Sequence, residues 1–411
     1  MRGSGVNRGM VMSPPLLERV RLRMAADSAS PDLGALTLRE SELVVDSGAL
    51  AELSGQLSAE LRGAGPLEEL LALPGVTDVL VNAPEEIWFD RGSGFERSTV
   101  QFASDSAVRV LAVRLAAQAG RRLDDAAPFV DASLPDGTRL HAILPPLVDH
   151  PTLSLRVLSR RRLTMEDLVR AGLLSAAMAE VLQALVSARM TLLISGGTGA
   201  GKTTLLAALL STVAPTERIV TIEDAPELAV DHPHVVGLHA RSANIEQAGA
   251  VGLRELVRQS LRMRADRLVV GEFRGAEIVE LLAALNTGHS GGAATVHANS
   301  MGDVPARLVA LAALGGMSAE VLGAQARSGL DVVIQLGRDR GGVRQLTEIG
   351  LWSRSDRAAG PDTVWSRAGG RGPAAAELAG RIYVAGIAVP ELLTDARTGP
   401  DRADEEGGCR R

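Results

Sequence analysis

Lys202 is the single lysine of the chain, and it lies in the stretch Gly196-Gly197-Thr198-Gly199-Ala200-Gly201-Lys202-Thr203-Thr204. Every other member of the 43 Lys and Arg residues is an arginine. An ammonium retained at this one place has a physical reason. A compact point charge on a flexible stem can reach between the β- and γ-phosphates of a nucleotide, where a branched planar guanidinium is too bulky. The stretch fits Gly-x-x-x-x-Gly-Lys-Ser/Thr, a loop whose backbone amides cradle phosphates. Thr203 would offer its hydroxyl to Mg²⁺, and Thr204 falls near the α-phosphate.

Three more groups of reactive residues follow short apolar runs. Glu223 and Asp224 come directly after Val220-Thr221-Ile222, with Glu227 three residues on. Carboxylates there can hold the waters that Mg²⁺ keeps around itself; the alternative is a helix N-cap at Asp224. Gly271-Glu272 follows Leu268-Val269-Val270. A carboxylate at Glu272 can orient and partly deprotonate an attacking water. The aspartate that usually ends such a strand and supports the metal is replaced by Gly271, so that support must come from Glu223 or Asp224. His297 follows Thr295-Val296, and His289 precedes that run in Asn286-Thr287-Gly288-His289. A neutral imidazole can donate to a γ-phosphate oxygen and so report its presence. Arg254, Arg258 and Arg262 recur at helical spacing ahead of Glu272, which suits a solvated face or a subunit boundary. Arg139 and Arg156 are candidates for an arginine that reaches a triphosphate from outside its own site.

The elements that must position these residues alternate in type. Strand-like runs at Thr191–Ile194, Arg218–Ile222, Arg267–Val270 and Ala293–Val296 are separated by helical patterns at Thr203–Leu210, Leu253–Arg264 and Ala276–Asn286. Such alternation predicts a parallel sheet covered on both faces, with ligands gathered beyond the carboxyl ends of the strands. A further helix is expected at Val304–Leu314, with strands at Val332–Leu336 and Gln345–Ile349. Upstream lies a smaller α/β domain: strands at Val76–Val81 and Glu86–Asp90, a helix at Ser106–Ala119, and paired strands at Arg139–Ile143 and Leu153–Leu158. Thr164-Met165-Glu166-Asp167 reads as a capping box with aspartate in place of glutamate. The expected divisions are an N-terminal, partly helical arm (1–63), the small α/β domain (64–162), a linker (163–175), the nucleotide domain (176–352) and a partly disordered C-terminal segment (353–411).

Bulk properties narrow the class. The 411 residues suggest two or three domains, and an apolar content of 46% is ordinary for a globular protein. A net charge of −6 and 2% aromatics argue against direct binding of DNA, which favours basic surfaces and stacking platforms. Cys409 is the one cysteine, which excludes internal disulfides and thiolate metal cages. No run approaches the ~20 apolar residues of a membrane span, and the N-terminus lacks an apolar signal core. A cytoplasmic chain is expected.

Four blocks together resemble the traffic ATPases of type II and type IV secretion: GGTGAGKTT at Gly196–Thr204, TIEDAPEL at Thr221–Leu228, LRMRADRLVVGEFRG at Leu261–Gly275 and NTGHSGGAATVHANS at Asn286–Ser300. They are similar to that family's Walker A, aspartate, atypical Walker B and histidine boxes, and the Gly-Glu ending of the third is itself a family trait. VTDVLVNAPEEIWFDRG at Val76–Gly92, SLPDGTRLHAILPP at Ser133–Pro146 and LSLRVLSRRRLTMEDLV at Leu153–Val169 bring the chain nearest to the ATPases of tight-adherence (Flp) pilus assembly and conjugal transfer. The tetracysteine insert of type II secretion ATPases is absent. The resemblance spans about Leu61–Gly350. It implies a RecA-like P-loop ATPase domain beside the N-terminal domain, a homohexameric ring and ATP with Mg²⁺ between subunits. It also implies that Arg139, Arg156 and Arg241 approach the phosphates. The partner implied is an inner-membrane platform that extrudes pilin, with the ring peripheral at the inner face of the membrane.

Overall fold

A computed structural model of the chain describes residues 63–92, 94–157, 162–241, 249–288, 290–339, 341–352, 354 and 360–394. The arm expected over 1–63 therefore lies, apart from its last residue, outside the described residues, as do His289 and Cys409. The chain divides into two units at Leu158/Ser159, a few residues before the boundary expected at 162.

In the first unit six antiparallel strands form one sheet: β1 (Asp78–Ala83), β2 (Glu86–Asp90), β3 (Phe95–Arg97), β4 (Phe129–Ser133), β5 (Arg139–Ile143) and β6 (Thr152–Arg156), in the order β3-β2-β1-β6-β5-β4. Among its described residues the helices are α1 (Glu68–Leu71) and α2 (Asp105–Gln118). Val79 and Val81 of β1 are buried while Asp78 and Leu80 are partly exposed, the alternation of a sheet with one covered face. Val108, Leu111, Ala112 and Leu115 of α2 share one core with Val79, Leu140 and Leu155. Ser104 opens α2, its hydroxyl accepting from the Ala107 amide at 3.3 Å. β3 and β4 carry no clear sequence signal. β3 is exposed throughout, and Phe129 of β4 faces outward.

Among its described residues the second unit holds nine strands: β7 (Leu192–Gly196), β8 (Ile219–Glu223), β9 (Val235–His239), β10 (Arg267–Val270), β11 (Ala293–Val296), β12 (Val332–Arg338), β13 (Arg344–Trp352), β14 (Pro361–Ser366) and β15 (Gly370–Arg371). Their order is β15-β14-β13-β12-β7-β11-β10-β8-β9. From β12 to β9 all neighbours are parallel; β13, β14 and β15 extend the edge in antiparallel fashion. The helices are α3 (Met165–Arg170), α4 (Ala176–Ser187), α5 (Lys202–Leu210), α6 (Leu253–Ser260), α7 (Ile278–Leu285), α8 (Val304–Leu314), α9 (Ala319–Gly329), α10 (Ala375–Val384) and α11 (Glu391–Thr394). Successive residues of the inner strands enter different apolar clusters. Leu192 and Ile194 pack with α4 and α5, while Leu193 packs with α7 and α8. That is the period of two expected for a sheet buried on both faces. The capping box at Thr164 forms: its hydroxyl accepts from the Asp167 amide at 3.2 Å, and Asp167 accepts from the Thr164 amide at 3.0 Å.

Within the C-terminal segment expected to be partly disordered over 353–411, residues 360–394 are folded: Val364, Trp365, Leu378, Ile382 and Leu393 are buried in the first cluster. Arginine and glycine in this stretch mask its strands, because β13 supplies the pairing that the local sequence does not announce. β9 was also not anticipated. It is a half-exposed edge strand beside β8, so it lacks the continuous apolar run of a central one.

Candidate active site

Because β7, β8, β10 and β11 are parallel, the residues that follow them emerge on one rim of the sheet. The glycine loop leaves β7 and enters α5 through Gly201 at φ +97°, a left-handed geometry that a side chain would strain. No side chain caps α5, so its first amides remain available to an anion. The Lys202 ammonium donates to the carbonyls of Gly196 at 3.0 Å and Gly197 at 2.9 Å, and the residue is 6% exposed. Thr203 and Thr204 occupy the first turn of α5, partly exposed, and Thr198 lies exposed in the loop.

β10 and β11 are stitched together at their ends. The Thr295 hydroxyl donates to the Gly271 carbonyl at 2.7 Å, and the Phe273 amide to the Thr295 carbonyl at 3.2 Å. This brings Glu272 and His297 within reach: His297 Nε2 is 3.1 Å from Glu272 Oε1. On its other side the imidazole meets Lys202, whose Nζ is 3.4 Å from Nδ1 and 3.5 Å from Nε2. Three residues separated widely in sequence thus form one chain of contacts, Lys202–His297–Glu272. Burial holds the His297 pKa below the ordinary imidazole value. The Glu272 charge opposes that, while Lys202, Arg274 and Arg307 reinforce it. The ring is therefore neutral near pH 7.

A fourth member, Arg274, was not singled out from sequence, and its signal was its place two residues after Glu272 in Gly271-Glu272-Phe273-Arg274. Its Nε donates to Glu272 Oε1 at 2.9 Å and its Nη2 to Oε2 at 3.4 Å. Burial pushes the Glu272 pKa upward, but the Arg274 hydrogen bond and the charges of Arg274, His297 and Lys202 outweigh it, leaving the carboxyl below its usual range. Asp224 and Glu227 face the same guanidinium electrostatically.

Glu223 departs from expectation. It is buried, and Oε1 accepts the amides of Glu227 at 3.0 Å and Leu228 at 2.9 Å. It thereby shapes the loop after β8 in the manner of a cap. No helix follows Asp224, so Asp224 is not an N-cap; it is the exposed carboxylate of the pair. Gly271 has its reason here: a Cβ at this position would lie 2.8 Å from Glu223 Cγ. The donor set fits a triphosphate with Mg²⁺: loop amides at a helix start, one ammonium, the Thr203 hydroxyl and the Asp224 carboxylate. Among the described residues no group of three His, Cys, Asp or Glu could hold a metal ion.

The remaining arginines are dispersed. Arg241 follows β9 on the same rim, bridges Val251 and donates from Nε to the Gly249 carbonyl at 2.7 Å. Arg139 and Arg156 belong to the first unit, where they face each other directly across β5 and β6. Arg254 and Arg258 of α6 both donate to Glu280 of α7, at 2.5 and 2.9 Å, whereas Arg262 lies beyond the end of α6. The arginine stripe is thus partly an intramolecular clamp between two helices.

The chain matches the family model described as type II/IV secretion system protein over residues 60–394. It is 53% identical over 327 residues to a putative conjugal transfer protein of Mycobacterium tuberculosis (strain ATCC 25618 / H37Rv), covering 78% of this chain and 93% of that protein. To the conjugal transfer protein TrbB of Rhizobium radiobacter it is 31% identical over 283 residues, 67% of this chain and 84% of that protein. Among solved structures it is similar in fold to the pilus retraction motor PilT with bound ADP: TM-score 0.51, 21% identity, 71% of this chain and 83% of that one. The fold is that of a RecA-like domain preceded by an N-terminal domain.

Proposed function

The chain belongs to the type II/IV secretion system protein family, and on that premise we propose that it is a Mg-ATP-hydrolysing motor acting as a homohexameric ring. The observation that carries this reading is the contact chain Lys202–His297–Glu272 on the rim where the glycine loop opens. The loop amides and Lys202 hold the phosphates. Bound Mg²⁺ would neutralise phosphate charge, with Thr203 and Asp224 as its protein contacts, Asp224 through water, and Glu223 shaping the loop beside it. Glu272 orients the attacking water once its carboxylate is turned toward the phosphates. The neutral His297 ring donates to the terminal phosphate and loses that partner on hydrolysis, so the exit of β11 relaxes. Arg139, Arg156 and Arg241 supply positive charge, some of them from a neighbouring lobe. Movement of one unit against the other then drives an inner-membrane platform that assembles a pilus, extruding pilin, or secretes protein, from the cytoplasmic face.

A second reading, a RecA-like nucleic-acid translocase in conjugal DNA transfer, is favoured by the names of the two relatives. The net charge of −6 and 2% aromatics oppose it. Phosphate release with and without platform membranes or single-stranded DNA separates the two. Stimulation by the membranes alone is expected, and stimulation by DNA alone would transfer the assignment to the translocase. Glu272→Gln should bind ATP and accumulate it unhydrolysed; a wild-type rate of phosphate release would remove Glu272 from its role.

A further inference from the structure

The buried residues of β12 are apolar with one exception. Val332, Val333, Ile334 and Leu336 are buried hydrophobics, and between them stands Gln335, 4% exposed. A primary amide in such surroundings is costly unless its hydrogen bonds are met. Gln335 meets them in two directions. Its Oε1 accepts from the hydroxyl of Ser195, its register partner on β7 and the residue before the glycine loop. Its Nε2 faces the carbonyls of Asn299 at 3.3 Å and Ala298 at 3.4 Å, and its neighbour's carbonyl, Leu336, at 3.3 Å. Ala298 and Asn299 are the first residues after His297. The Gln335 main chain is itself held, its carbonyl accepting from the Thr347 hydroxyl of β13 at 3.2 Å.

We infer that Gln335 is a positioning residue for nucleotide hydrolysis, tying the strand that carries the phosphate loop to the segment that carries His297. β11 and β12 lie on opposite sides of β7, so the chain leaving β11 must cross the end of β7 to reach this amide. One side chain thereby sets the height of the imidazole over Lys202 and Glu272. When His297 gains or loses a phosphate partner, the same amide passes the displacement to β7 and β12. The inference rests on the hydrolytic reading above.

Gln335→Met keeps length and apolar volume while removing both the acceptor and the donor. With the full-length protein, calorimetric titration with ADP and with a non-hydrolysable ATP analogue is read beside the steady-state rate. ADP affinity is expected to hold within about twofold. The preference for the ATP analogue over ADP, and kcat, should each fall by about tenfold. A role confined to packing would lower the unfolding midpoint without changing that preference, and an unchanged preference together with unchanged kcat overturns the inference. If Gln335→Met does not fold, Ser195→Ala, which removes only the hydroxyl anchor, must shift the preference in the same direction, and a wild-type ratio there also overturns it. Failure of the parent reading looks different: wild-type protein without ATPase activity, or His297→Gln with its ATP preference intact.

Discussion

At position 202 an ammonium and a guanidinium would carry the same charge, and packing decides that they are not equivalent. Lys202 is held between two loop carbonyls in a buried site where three donors suffice; a planar fork with five would have to displace the loop. Lys202→Arg is therefore expected to lose about 100-fold in phosphate release, the cost typical of removing a charge-stabilising donor. Near-normal turnover would refute the argument from shape. His297 gives the pH dependence. Its folded-state pKa lies below the unfolded one, so as pH falls the unfolded chain takes up the proton first. Folding stability from this residue is intact above the ordinary imidazole value and declines below it. Hydrolysis should likewise fall only beneath that value, and His297→Gln should remove this limb while lowering the plateau. A rate profile whose acid limb lies at or above the ordinary imidazole value contradicts the assignment. Lys202, Glu272 and His297 were legible as residue types because each follows a strand-like run. Arg274 and the reason for Gly271 were not, since both depend on Glu272 and Glu223 side chains approaching from elsewhere.

Among the elements, the parallel strands announced themselves by unbroken apolar runs, and Thr164–Asp167 by its capping pattern. The edges did not. β14, β15 and α10 lie in a stretch whose arginines and glycines suggest a tail, yet their apolar residues close the first cluster of the second unit. A chain ended at 352 would lose Val364, Trp365, Leu378 and Ile382 from that core. Each such loss costs about 2–5 kcal/mol, so the melting midpoint should drop by about 10 °C or more. Calorimetry decides this; a midpoint within a few degrees of the full chain would return the segment to the status of a tail. The stripe on α6 carries a related lesson. Helical spacing correctly puts Arg254 and Arg258 on one face, but only packing shows that Glu280 of α7 occupies that face.

For the whole molecule, two units must cooperate if the first is to contribute to catalysis. Arg139 and Arg156 face each other across β5 and β6 in the first unit, whereas the glycine loop belongs to the second. Arg139→Ala and Arg156→Ala are each expected to reduce hydrolysis by about 100-fold with ATP binding retained. If they act on a neighbouring subunit, mixing Arg156→Ala with Glu272→Gln should restore part of the activity, because some interfaces then combine an intact arginine with an intact Glu272. Additive, unrecovered rates in the mixture would place the arginine in its own subunit's site.

By itself the amino-acid order determined the glycine loop, the acids and imidazole at strand ends, and the buried parallel sheet. These follow from contacts between near neighbours and from the two-residue period of a strand. Strand order, the turning of Glu223 into the protein, the pairing of Glu272 with Arg274 and the bridge through Gln335 were decided only by the tertiary structure. Each joins side chains from strands far apart in sequence, and which strands lie side by side is a property of the whole packed sheet.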